Sequence, residues 1–136
     1  AASARNVMIT NTPGVLTDAT ADMAVALLFS AARRIVEADK FTREGKFKGW
    51  SPMLFLGQDV TGRTLGIIGA GRIGTAVAER MHKGFKMKIL YTDLNVNPDM
   101  EASTSATKVT MEELLKNSDF VSLHCTLSPG TTHLIG

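Results

Sequence analysis

Cysteine is almost absent: Cys125 stands alone among 136 residues, so no internal disulfide can form. No second Cys or His stands at metal-ligand spacing, and the other histidines, His82 and His133, read as surface and loop positions, so a zinc site has no support either. Charge of one sign is lacking too. Fifteen basic residues face thirteen acidic ones, for a net charge of +2 with no run of like charges, which argues against a nucleic-acid or polyanion binder. No apolar stretch reaches the length of about 18 residues that a membrane span needs, and the N-terminus has neither a basic n-region nor an apolar h-region. No internal repeat or low-complexity segment is visible. These absences leave one globular unit, expected in a reducing cytoplasm, and 44% hydrophobic residues are enough for a single core. The abrupt ends at Ala1 and Gly136 lead us to expect a fragment of a longer chain.

Residues 7–10 (VMIT) are apolar and partly β-branched and run into the turn chemistry of Asn11-Thr12-Pro13-Gly14, so a short strand followed by a loop is expected. A long helix is expected next, over residues 18–40. Thr17 or Asp18 can cap it, and Met23, Ala24, Leu27, Leu28, Ala31, Ile35 and Val36 recur at three- and four-residue steps. Nearly every side chain between Met23 and Ala32 is small or apolar, so cover on more than one side is needed and a second subunit is expected to supply part of it. Residues 49–63 read as a linker in which Trp50 and Pro52 act as an anchor. From Thr64 onward, short apolar runs alternate with helical segments, the pattern of a parallel α/β sheet buried on both faces. Strands are expected at 65–68, 86–91 and 120–124, the last of them buried, with a brief edge strand at Lys108 and Val109. Helices are expected at 72–82 and 111–117, the second with Thr110 and Glu113 as a capping box, and a polar loop at 93–105.

Gly69-Ala70-Gly71-Arg72-Ile73-Gly74 fits G-x-G-x-x-G. Its context is that of a dinucleotide site, since it follows an apolar strand, opens an amphipathic helix and lies in a unit that ends in a second strand. The first glycine allows the tight turn, the second lets backbone approach a pyrophosphate, and the third lets helix pack on strand. Unpaired N–H groups at the helix start then face the phosphates. Asp93 follows the last glycine by about 20 residues, the interval at which a carboxylate receives the adenosine ribose hydroxyls. No Arg or Lys occurs in 94–100 to meet a 2′-phosphate, so NAD is expected rather than NADP. Arg72 either leans over the pyrophosphate or lies along the helix surface. His124 stands at a strand's carboxyl end, where it is either a hydrogen-bonded structural residue or a catalyst, and it is counted with Cys125 and Thr126 among the cofactor-binding candidates, those two being placed to line the adenosine side.

The order Asn11-Thr12-Pro13-Gly14, Thr20-Ala21-Asp22-Met23-Ala24, Arg33-Arg34, the glycine loop and His124 resembles the D-isomer-specific 2-hydroxyacid dehydrogenase family. Gly49-Trp50-Ser51-Pro52, Phe55-Leu56-Gly57 and Gly62-Arg63-Thr64-Leu65-Gly66 are most similar to its glyoxylate or hydroxypyruvate reductases. The resemblance implies an α/β, Rossmann-like parallel sheet with flanking helices. It also implies that the sheet is incomplete, with the second half of the cofactor domain and the substrate domain missing. Residues 1–16 would then be a hinge strand and loop from the substrate domain, and 17–136 a truncated NAD-binding domain with its βαβ core at 64–136. Thr20 would lie near the nicotinamide, Arg72 and Ile73 at the pyrophosphate, Asp93 at the ribose, and Cys125 and Thr126 near the adenosine. Family members often have proline where this chain has Thr126. The helix from Thr20 to Arg34 would serve homodimerisation. The parent would reduce a small 2-oxo acid with NADH, with its Arg, Glu and His carried beyond this segment, so the chain alone is expected to be inactive. Two alternatives stay open: an NAD-responsive corepressor-like module, or a relative acting on phosphoglycerate, lactate or phosphite. A flavin or S-adenosylmethionine domain is disfavoured by the resemblance.

Overall fold

The computed structural model of the chain describes residues 2–135. Its centre is β1 (Thr64–Ile68), a short β-branched run in which residues 65–68 are all buried. Successive side chains on a strand point to opposite faces. A side-chain carbon at Gly66 would stand 2.5 Å from Leu114, which puts the helix carrying Leu114 on one face. Ile67 lies against Gly74, which puts the helix after the glycine loop on the other. Those helices are α5 (Met111–Asn117) and α3 (Arg72–Phe85). β2 (Lys88–Thr92), β3 (Thr107–Lys108) and β4 (Phe120–Leu123) complete a four-stranded sheet in the order β3-β2-β1-β4, with every pairing parallel.

The core lies on the α3 face. Leu65, Ile67, Val77, Met81, Met87, Tyr91 and Met100 are buried there with Ala21 and Ala32 of α1 (Thr17–Ala32), which packs across α3. Full burial of a side chain such as Leu65 or Met81 is worth about 1.5–3 kcal/mol in transfer free energy. Arg80 of α3 ties the two helices together through Asp22 at 2.7 Å and Asp18 at 2.8 Å. Phe29 and Phe85 pack nearby with ring centroids 4.7 Å apart and planes tilted by 57°.

Several elements differ from the sequence expectation. The expected helix over 18–40 is two helices, α1 and α2 (Ile35–Arg43), because Arg34 takes a left-handed conformation at φ 54°. The chain returning from the linker fills the break: the Gln58 N–H donates to the Ala32 carbonyl at 2.8 Å. Neither Thr17 nor Asp18 caps α1, whose N-cap is Leu16 without a side-chain hydrogen bond. Residues 7–10 form no strand and are exposed, and among the described residues no strand pairs with them. The expected loop at 93–105 contains α4 (Pro98–Thr104), with Asn97 as N-cap and Pro98 in its first turn. β4 is an edge strand with alternate residues exposed, not a buried one, because nothing among the described residues pairs with its outer side. Trp50, expected as an anchor, is 84% exposed and lines an open groove with Phe41, Phe47 and Phe55. His82 is partly buried rather than a surface residue, with Nδ1 2.9 Å from the Met87 carbonyl. The capping box of Thr110 and Glu113 forms as expected, and the short edge strand lies at Thr107–Lys108, one residue before its expected position.

Candidate functional site

Sheet register assembles the site. Ile68 pairs with Thr92 on one side and with Leu123 on the other, so the last residues of β1, β2 and β4 stand abreast. The next residue of each strand is therefore Gly69, Asp93 and His124, which are far apart in sequence and neighbours at the carboxyl ends of the strands. Two further backbone hydrogen bonds extend the ladder past the strand ends, from Gly69 N–H to Thr92 O at 3.0 Å and from His124 N–H to Ile68 O at 2.7 Å.

The glycines of the loop meet different surroundings. Gly69 has φ +98°, and a side chain there would come within 2.6 Å of the Cys125 backbone. At Gly74 a Cβ would stand 2.2 Å from the Gly69 carbonyl oxygen, so the start of α3 presses directly on the loop. Gly71 meets nothing within 4 Å and leaves its backbone open to solvent. It is the N-cap of α3 and supplies no side-chain cap, and the first i→i−4 bond of the helix is Thr75 N–H to Gly71 O at 2.9 Å. The N–H groups of Arg72, Ile73 and Gly74 thus precede the helix's own hydrogen-bond ladder and carry its positive dipole end.

Above the loop opens a cleft of about 560 Å³, lined by Asn11, Pro13, Gly14, Gly71, Arg72, Ile73, His124 and Thr126 among others. A second cleft of about 450 Å³ lies on the loop's other side, between Thr17, Ala70, Gly71, Thr75, Asn97 and Asp99. Arg72 lines both, is exposed and makes no ion pair among the described residues. Asp93 is half-buried, and its Oδ2 accepts the Ala70 N–H at 2.6 Å. His124 Nε2 lies 2.8 Å from Ser122 Oγ, and burial pushes the His124 imidazole below the ordinary histidine value. Cys125 sits behind Gly69 and lines none of these clefts, whereas Thr126 reaches the first. Thr20 lies one groove away, between α1 and β4, and only His124 borders both spaces.

Two contributors escaped the sequence reading. Asn97 donates from Nδ2 to the Ala70 carbonyl at 2.7 Å and to Thr75 Oγ1 at 3.0 Å, a tie that the Asn-Pro helix-start signal could have suggested in part. Lys108, outside the window searched for cations, reaches back from β3 to donate to the Leu94 carbonyl at 3.2 Å. No group of three or more His, Cys, Asp or Glu able to hold a metal occurs among the described residues. No helix among them is long and apolar enough to cross a membrane.

Comparison with known proteins gives this geometry a context. The family model for the D-isomer specific 2-hydroxyacid dehydrogenase NAD binding domain matches residues 25–136. A glyoxylate reductase of Korarchaeum cryptofilum is 57% identical over 136 residues, covering 99% of this chain and 41% of its own. A crystal structure of a protein from Thermus thermophilus superposes with a TM-score of 0.90 at 46% identity, over 98% of this chain and 41% of that one. The structure of D-lactate dehydrogenase with NAD+ from Lactobacillus jensenii gives 0.83 at 31% identity, over 99% and 39%. The chain thus spans about 41% of the length of the curated relative it matches.

Proposed function

We propose that this chain, which belongs to the D-isomer specific 2-hydroxyacid dehydrogenase family through its NAD-binding domain, forms the phosphate and adenosine side of an NAD(H) site in an enzyme that reduces a 2-oxo acid of the glyoxylate or hydroxypyruvate type. The observation that carries the reading is Gly71. Its backbone is the one part of the loop left open, at the mouth of a cleft and at the unladdered start of α3, where a pyrophosphate finds free N–H donors and room to approach. Arg72 and Ile73 would flank that phosphate. Gly69 and Gly74 would hold the loop's shape, and Asp93 would take the ribose hydroxyls with Oδ1, since Oδ2 is occupied by Ala70. His124 and Thr126 would border the crevice, Cys125 would support it from behind Gly69, and Thr20 would face the nicotinamide side across the neighbouring groove. The bound cofactor would supply the hydride, which adds to the substrate's carbonyl carbon while a proton goes to its oxygen, giving the 2-hydroxy acid and NAD+.

The proton donor and the carboxylate-binding cation would come from outside this chain, so it is expected to show no turnover alone. Residues 1–16 would connect to a substrate domain. The same reading includes a homodimer covering part of α1, and a cytoplasmic location where NADH is the reactant at hand.

The test is a fluorescence titration with NADH and NADPH, with Asp93→Ala alongside. The expected result is saturable NADH binding, preferred over NADPH and weakened about tenfold when Asp93 is removed, the size of one lost hydrogen bond to a charged group. Equal binding of NADPH by the unaltered chain would refute the role of Asp93. No NADH binding by a folded chain would refute an autonomous half-site.

A further inference from the structure

We propose that Asn97 is a positioning residue for the nucleotide-binding loop: it clamps the Ala70–Gly71 peptide so that the Gly71 N–H is presented to the cofactor's phosphates. The inference rests on the cofactor reading above and adds to it a residue from the start of α4, a segment outside the glycine motif.

Ala70 is the residue between the first two glycines, and side chains from beyond β2 hold both of its backbone groups. Asp93 Oδ2 takes its N–H at 2.6 Å, and Asn97 Nδ2 donates to its carbonyl at 2.7 Å. A trans peptide is planar, with its C=O and N–H pointing in opposite directions. Fixing the Ala70 carbonyl against Asn97 therefore fixes the Gly71 N–H on the opposite side. Glycine loops need such a tie because residues lacking a side chain have little intrinsic preference for one backbone orientation.

The orientation of Asn97 is itself determined. Its Oδ1 accepts the Met100 N–H at 2.9 Å as the cap of α4, which leaves Nδ2 to face Ala70 and Thr75. Its backbone N–H donates to Tyr91 Oη at 3.0 Å, and that buried hydroxyl donates to Glu101 at 2.7 Å. One side chain thus joins the start of α4, the first turn of α3 and the glycine loop, and the backbone of the same residue is held by a fully buried tyrosine of β2.

Asn97→Asp and Asn97→Ser separate this role from capping. Both side chains still accept the Met100 N–H and so preserve the α4 cap, but neither can donate to Ala70 as the amide does: the carboxylate has no proton to give, and serine is too short. The measurements are thermal melting, the Gly71 amide resonance in the ligand-free chain, and NADH affinity. The expected result for both variants is a moved Gly71 resonance and NADH binding weakened about tenfold, with the folding transition retained. An unmoved Gly71 amide in either folded variant overturns the inference, and so does unchanged NADH affinity. If the unaltered chain binds no NADH while the Gly71 amide still moves, the clamp is upheld as a loop-positioning device and it is the cofactor reading that fails.

Discussion

At the scale of single residues, the glycine loop separates shape from recognition. A methyl group at Gly74 would collide with the Gly69 carbonyl, so Gly74→Ala is expected to cost at least about 2 kcal/mol of stability, an overpacking penalty against backbone that cannot retreat. Gly71 has an ordinary φ of −76° and open space around it. Gly71→Ala should therefore leave Tm within about 4 °C yet weaken NADH binding at least about tenfold, because the methyl would stand where a phosphate must approach. Calorimetry and titration of the two variants check the contrast, and equal effects on both properties would contradict it. His124 gives a pH signature. Burial lowers its pKa in the folded chain, so below about pH 6.5 the unfolded state binds the proton more readily than the folded one. The stability it contributes is complete above that value and is lost as pH falls through the lower folded value. His124→Gln should flatten the fall of Tm across that window, and a curve unchanged by the substitution would show that other groups govern it.

At the scale of elements, α5, α1 and α4 are held by different devices, and the devices differ in how local they are. α5 owes its start to Thr110 and Glu113, which bond each other's backbone N–H groups within one turn. Thr110→Ala is expected to lower stability by about 1 kcal/mol, measured by denaturant unfolding with an unchanged m-value. α1 has no side-chain cap. Its placement comes from burying Ala21 and Ala32 in the core, with Arg80, far along the chain on α3, adding exposed ion pairs to Asp18 and Asp22, and its end is met by Gln58 bonding the Ala32 carbonyl. α4 is capped locally by Asn97, but its position against the glycine loop comes from the other half of the same amide.

At the scale of the whole molecule, apolar side chains stand exposed on the facing elements α1 and β4. Met23 and Leu27 on α1 are 59% and 61% exposed, and Leu123 on the outer strand is 52% exposed. α1 and β4 together border a groove of about 470 Å³. If a second copy covers α1, Met23→Glu combined with Leu27→Glu should shift light scattering toward the mass of one chain while far-ultraviolet dichroism is retained. A mass unaffected by the substitutions would count against the homodimer reading.

The sequence by itself determined the parallel α/β core, the glycine loop opening α3 and the capping box of α5, together with the cofactor class read from Gly69-Ala70-Gly71-Arg72-Ile73-Gly74 and Asp93. Each is encoded by residues close in the chain, through the apolar period of a strand or helix, the turn chemistry of glycine, or a cap bonding its own first turn. Tertiary structure decided where the helix after Thr17 breaks, because Arg33-Arg34 contains no Gly or Pro and the break depends on Gln58 returning to Ala32. It also decided that residues 7–10 stay unpaired and that β4 lies at an edge, since a strand's burial depends on its neighbours as well as its own composition. Sheet register brought Gly69, Asp93 and His124 abreast, and folding carried Asn97 and Lys108 to the loops they hold. Those contacts join positions far apart in sequence, and only the folded sheet brings such positions within hydrogen-bonding reach.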